Sequence, residues 1–165
     1  MNGPLSMEHK RAILWDNDGV LVDTEKWFFE ANRLELEALG VTATLAQFEE
    51  INLKHGVSLL SLSGLAGQEL RALYARRDAR YSELLQTEEL AIPGMLELLK
   101  RMRGHVFTTG IVTSSLRAHF DIIHGLSGML DHVDFVVTRE DYPRAKPYPD
   151  SYLAGIERAL DCVQQ

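Results

Sequence analysis

Residues Asp16-Asn17-Asp18-Gly19 place two carboxylates two positions apart beside a glycine. Such a pair can converge on one ligand once the backbone leaves the extended conformation, and Gly19 permits the tight turn this needs. In unlike environments one carboxylate, ionised, could attack phosphorus while the other, protonated, hands a proton to the leaving oxygen. A pair used in this way calls for a cation. The same four residues also satisfy an Asx-rich turn after a strand. A calcium loop is a third reading, but Gly19 comes too early for it and no suitable glutamate closes the loop. Further along, Thr113-Ser114-Ser115 offers hydroxyl donors that could hold a phosphoryl group together with the N–H groups of a following helix, or could simply cap that helix. Lys146 stands between Arg144-Ala145 and Pro147-Tyr148-Pro149-Asp150, where prolines stiffen the loop that presents it.

The elements around these residues read as an α/β protein. Ala12 to Trp15 is a short apolar run, hence a buried strand that opens at its carboxyl end into Asp16. Gly110-Ile111-Val112 ends in Thr113, and Val133 to Val137 ends in Thr138-Arg139-Glu140-Asp141. Carboxyl ends of strands are where open α/β sheets place their chemistry. Between the first two strands the chain reads as helical. Thr24 is a plausible N-cap, Trp27, Phe28, Ala31, Leu34 and Leu39 follow at helical spacing, and Gly40 stops the run. Thr44 and Gln47 have capping-box spacing, and Leu70, Leu73, Tyr74, Arg77, Tyr81, Leu84 and Leu85 mark one face of a longer helix. Pro93-Gly94 opens another helix with Leu96 and Leu99 facing inward. His119, Phe120, Ile122 and Ile123 return the chain to strand-helix alternation, and a last helix carries Tyr152, Leu153, Ile156 and Leu160.

Composition narrows the function. The 165 residues carry a formal charge of -7, which argues against a broad nucleic-acid surface because phosphate backbones are held by clustered Lys and Arg. With 45% hydrophobic residues the chain can bury a core without disulfides, and Cys162 has no partner for one. That favours a reducing compartment, with Cys162 as a small buried apolar residue. No run reaches the roughly 20 apolar residues of a membrane span, so a cytoplasmic protein is expected. His9, His105, His119, His124 and His132 show no paired ligand spacing, and no zinc site is expected.

The run Asp16-x-Asp18-Gly19-Val20-Leu21-x-Asp23-Thr24-Glu25 resembles the first signature of the haloacid dehalogenase superfamily, in its phosphoglycolate-phosphatase and β-phosphoglucomutase-like branch. Thr113 matches the hydroxyl of the second signature. Arg144 to Asp150 resembles the third, Gly-Lys-Pro-x-Pro-Asp, with Ala145 in place of the glycine. The resemblance implies a Rossmann-like parallel sheet with a small helical cap inserted after the first strand: residues 8–25 and 88–165 the α/β core, and 26–87 the cap. It makes Asp16 the nucleophile and Asp18 the general acid/base. Mg²⁺ would be held by the Asp16 carboxylate and the Asp18 backbone carbonyl, while Thr113, Ser114 and Lys146 take the phosphate. Leu53-Lys54-His55-Gly56-Val57-Ser58 resembles the cap loop that faces the substrate, so Lys54 and His55 are candidate contacts.

The expected activity is Mg²⁺-dependent hydrolysis of a small phosphomonoester through an aspartyl-phosphate. A sugar-phosphate mutase is the nearest alternative, weakened because Leu59 and Leu60 follow Ser58 where those mutases carry an arginine. The fourth, acidic signature has no counterpart before Gln165, so the resemblance implies that the C-terminal strands are missing and that the Asp16 strand lies at an open sheet edge. A catalytically inactive fragment acting by binding, or a homodimer formed along that edge, would fit this departure.

Overall fold

The computed structural model describes residues 11–164; His9 and the first residues assigned to the α/β core lie outside that range. The chain divides into two compact units, one taking in the chain up to Asp23 and again from Ala91, the other Thr24–Leu90.

In the first unit, strands β1 (Ala12–Trp15), β2 (Thr108–Val112) and β3 (Phe135–Val137) form a parallel sheet in the order β1-β2-β3. Leu14 pairs with Gly110, and Val112 with Val137. Parallel pairing in this register brings the residues that follow all three strands to one end of the sheet. Central β2 is buried along its length. Its glycine is required by packing, since a Cβ at Gly110 would strike the Phe135 ring.

Strand β2 begins two residues before the apolar run Gly110-Ile111-Val112. Thr108 and Thr109 can enter a buried strand because their polar atoms have partners: Thr108 Oγ1 and the Thr109 N–H donate to Asp134, and Trp15 Nε1 donates to Thr109 Oγ1 at 2.8 Å. The same contacts explain why β3 starts at Phe135 and not at Val133. Asp134 is turned toward β2 and also pairs with Arg103 at 2.7 Å. Partial desolvation of its carboxyl works against ionisation, but Arg103 and the threonine donors hold it below the usual range.

Helices α4 (Met95–Arg103), α5 (Arg117–His124) and α6 (Asp150–Gln164) complete this unit. Gly155 lets α6 approach the sheet, where a Cβ would stand 2.8 Å from Val112 and 3.1 Å from Leu14. Leu153, Ile156 and Leu160, read from the sequence only as helical, stand on the exposed side of α6. Ile156 and Leu160 line, with Leu14 and Phe107, a shallow apolar groove of about 250 Å³ beside β1. Among the described residues no strand pairs with the outer edge of β1. Cys162 is half-buried on α6, where the sequence reading had it in the core.

The second unit is helical. Helix α1 (Glu25–Glu37) begins after Thr24, whose side chain makes no capping bond because its backbone is already helical; its carbonyl accepts from Trp27 and Phe28. The helix ends before Leu39, which is exposed and not on the apolar stripe. The Thr44–Gln47 capping box is formed and starts α2 (Leu45–Phe48), which runs on into a π-helical turn over Glu49–Lys54. After a 3₁₀ turn at Leu59–Ser63 comes α3 (Gly67–Thr87), whose buried positions Leu73, Arg77, Tyr81 and Leu85 recur every fourth residue. Leu36, Phe48, Leu59, Leu60 and Leu73 make the core, with Phe28 and Phe29 against it. Two charged groups buried here find partners within the unit: Glu35 accepts from Arg76 at 3.0 Å and Arg80 at 2.8 Å, and Arg77 donates to Asn32 at 3.1 Å while lying over the Phe28 ring.

Candidate active site

The loop after β1 is built around Asn17, which is completely buried. Its carbonyl accepts from the N–H groups of Val20, Leu21 and Val22, and the Gly19 N–H donates to the Val22 carbonyl at 2.8 Å. Gly19 adopts φ of 75°, a conformation that few side chains tolerate. This compact turn sends Asp16 and Asp18 out on either side of a buried residue. The Asn17 N–H also donates to Asp16 Oδ1 at 2.8 Å, which fixes the rotation of that carboxylate.

Two loops from the same end of the sheet meet the pair. Lys146 Nζ stands 2.9 Å from Asp16 Oδ2 and 5.0 Å from the centre of the Tyr152 ring. Burial alone would lower the lysine's pKa, but the hydrogen bond and charge of Asp16 outweigh it and hold the ammonium above its ordinary value. On the other side, Asp18 Oδ2 accepts from Thr113 Oγ1 at 3.0 Å and from Ser115 Oγ at 2.9 Å. Thr113 Oγ1 in turn accepts from the Ser115 N–H, and the Tyr142 hydroxyl donates to the Thr113 carbonyl at 2.9 Å. The loop after β2 is thereby tied to both its neighbours.

The geometry thus joins Asp16, Asp18, Thr113 and Lys146, and leaves Ser114 exposed and outside this hydrogen-bonded cluster. Ser115 stands where Ser114 was expected; which of two adjacent serines faces inward depends on how the loop leaves β2. Asn17, Tyr142 and His124 were also not singled out. Lys54 and His55, in the helical unit, both reach Glu50, at 2.6 Å and 3.1 Å, and are exposed. The Glu140-Asp141 pair is structural: Glu140 accepts from the Arg117 N–H, and Asp141 caps the turn at Thr138.

Paired carboxylates at the carboxyl end of a parallel strand, flanked by a hydroxyl from the next strand and a lysine from a later loop, are groups of the kind that phosphoryl transfer employs. The sequence profile described as haloacid dehalogenase-like hydrolase matches residues 10–162. The chain is 28% identical to phosphoglycolate phosphatase of Nitrosospira multiformis, covering 90% of this chain and 69% of that protein. It is 29% identical to hexitol phosphatase A of Escherichia coli, covering 89% of this chain and 68% of that one. The fold superposes on a β-phosphoglucomutase structure from Clostridium difficile with a TM-score of 0.75 at 20% identity, covering 90% of this chain and 70% of the other. The chain belongs to the haloacid dehalogenase-like hydrolases. It spans about two-thirds of the length of these relatives.

Proposed function

We propose that the chain is a Mg²⁺-dependent phosphatase that hydrolyses a small phosphomonoester through a phosphoryl group carried on Asp16. The observation that carries this reading is the meeting of Asp16, Asp18, Thr113, Ser115 and Lys146 at one end of the sheet. The names of the two curated relatives support a small phosphorylated substrate.

In this reading an Asp16 carboxylate oxygen attacks phosphorus as the bond to the leaving alkoxide breaks, and Asp18 gives that oxygen its proton. Water then attacks the phosphorus, Asp18 takes the water's proton, and the bond to Asp16 breaks to release phosphate. Asp18 Oδ2 already accepts from two hydroxyls, so the proton it carries belongs on Oδ1. Lys146 offsets the charge that accumulates as phosphate approaches Asp16. The Thr113 hydroxyl, which donates to Asp18, must turn to reach a phosphoryl oxygen, so phosphate binding exchanges one donor from the acid/base to the substrate.

The donors suit Mg²⁺, which takes hard oxygen ligands: the Asp16 carboxylate and the Asp18 backbone carbonyl. Each Asp16 oxygen accepts one hydrogen bond and retains a further lone-pair site. Among the described residues no cluster of three acidic, histidine or cysteine side chains forms a closed metal cage, and Mg²⁺ seldom needs one when substrate oxygens contribute. When bound, the ion would stabilise charge on the transferring group. Lys54 and His55 are the proposed substrate contacts of the helical unit. The mutase alternative is disfavoured by Leu59 and Leu60, which are fully buried in that unit's core. Among the described residues no helix is long and apolar enough to cross a membrane, and the half-buried lone thiol suits the cytoplasm.

The test is phosphate release from a panel of small phosphomonoesters with and without Mg²⁺, comparing the chain with Asp16→Asn. Turnover that needs the metal and falls by at least about a thousand-fold in the variant is expected for a lost nucleophile. Equal rates in both proteins would overturn the proposal.

A further inference from the structure

We infer that His124 is a positioning residue: acting through Asn17, it holds the Asp18 side chain in the orientation that proton transfer requires, a role that rests on the phosphatase reading above. Three contacts fix the chain of groups. The Asn17 Nδ2 lies 3.4 Å from Asp18 Oδ2, Asn17 Oδ1 lies 2.7 Å from His124 Nε2, and His124 Nδ1 lies 2.9 Å from Ser127 Oγ. Asp18 Oδ2 accepts from two hydroxyls and carries no proton of its own, so the amide must turn its NH₂ toward Asp18 and its oxygen toward the imidazole. That oxygen can only accept, so His124 Nε2 carries the hydrogen. Nδ1 is then an acceptor, and the Ser127 hydroxyl, which also stands 3.3 Å from the His124 carbonyl, gives its proton to the nearer Nδ1 while its oxygen accepts from the Met129 N–H at 3.1 Å.

Every bond points the same way: Met129 N–H to Ser127, Ser127 to His124, His124 to Asn17, and Asn17 to Asp18. Such a sequence polarises each member toward the carboxylate at its end. The imidazole is well placed for a fixed, neutral role. It is buried on α5, 4.5 Å from the Phe120 ring centre, and burial pulls its pKa down to about 4 against the opposing charge of Asp18. Without the Nε2 donor the Asn17 amide loses the contact that sets its rotation, and Asp18 Oδ2 keeps its hydroxyl partners while losing its third donor. Asn17 also carries the backbone of the Asp16–Asp18 turn, so its side chain is a route by which α5 reaches the acid/base without entering the site.

The experiment compares His124→Phe, which keeps bulk and removes the donor, with His124→Gln, whose amide N–H can stand at the place of Nε2, and with Asn17→Leu alone and combined with His124→Phe. In Mg²⁺-dependent phosphate release, kcat of His124→Phe is expected to fall on the order of ten-fold, as for other residues that orient a reacting group from behind, with KM little changed. His124→Gln should recover most of that loss, and the double variant should lose no more than Asn17→Leu alone. Equal losses in His124→Phe and His124→Gln, or multiplied losses in the double variant, would overturn the inference. The ¹⁵N shifts of the imidazole give a reading that needs no turnover: an Nε2–H tautomer is expected, and an Nδ1–H tautomer refutes the chain of bonds. An Nε2–H tautomer in a protein that releases no phosphate above Asp16→Asn marks failure of the phosphatase reading instead, and with it of the positioning role.

Discussion

The two units bury polar groups to opposite ends. In the helical unit Glu35 is closed off by Arg76 and Arg80, and Arg77 by Asn32 and an aromatic face, so each charge is answered inside the unit. In the sheet unit Asn17, Thr113 and His124 are equally buried, but their bonds lead toward the two aspartates and stop there. Burial and hydrogen bonding alone therefore do not distinguish a scaffold from a site. The direction of the bonds does: a network that ends on partly exposed carboxylates has capacity left for a ligand.

The largest effect that tests this contrast is on stability. Replacing Arg76 and Arg80 together by alanine leaves the Glu35 carboxylate, 5% exposed, without a cation. The expected loss is roughly 3 to 4 kcal/mol, near the low end for a stranded buried charge because both arginine side chains are themselves half exposed. A urea midpoint within error of the unmodified chain would show that the pairing in the helical unit is not structural.

The next effect is a pH dependence carried by His124. Its folded pKa, about 4, lies below the ordinary value of 6.5, so the unfolded chain takes up a proton first as pH falls. Its contribution to stability is full above pH 6.5 and is lost toward pH 4, on the order of 3 kcal/mol. Asp134 and Asp150, whose carboxyls are also held low, add acid sensitivity of their own. The measurement is therefore the difference in unfolding free energy between the unmodified chain and His124→Phe across that range. Parallel curves would show that the imidazole is not held neutral.

The smallest effect belongs to Lys54→Ala. The Lys54–Glu50 pair is exposed on both sides, so the unfolding midpoint should not move measurably, whereas KM should rise if Lys54 contacts substrate. An unchanged KM would remove Lys54 from the site and leave His55 as the helical unit's proposed substrate contact.

Much of this was legible in the chain because the signals are local. The apolar run of β1 stops at Asp16, the capping box links Thr44 to Gln47 three residues on, and Leu73, Tyr81 and Leu85 share a helical face. Asp16, Asp18, Thr113 and Lys146 could be singled out because each belongs to a short pattern of its own. The starts of β2 and β3 were misplaced because Thr108, Thr109 and Asp134 satisfy one another across 25 or 26 positions, a contact that periodicity cannot register. His124 was set aside for want of a neighbouring ligand, yet its partner Asn17 lies 107 positions away.

By itself, then, the sequence determined which residue types stand at strand ends, that a helical stretch separates the first two strands, and that two carboxylates share one turn. These follow from backbone conformation and the spacing of apolar residues over a few positions. Only the tertiary structure decided that Ser115 and not Ser114 reaches Asp18, that Lys146 meets Asp16, and that a buried imidazole stands behind Asn17. Those choices depend on the parallel register of β1, β2 and β3 and on the path of the loops that leave them. A hydrogen bond reaches only about 3 Å, so a shift of one residue in that register would have dissolved the site without altering any of the local patterns.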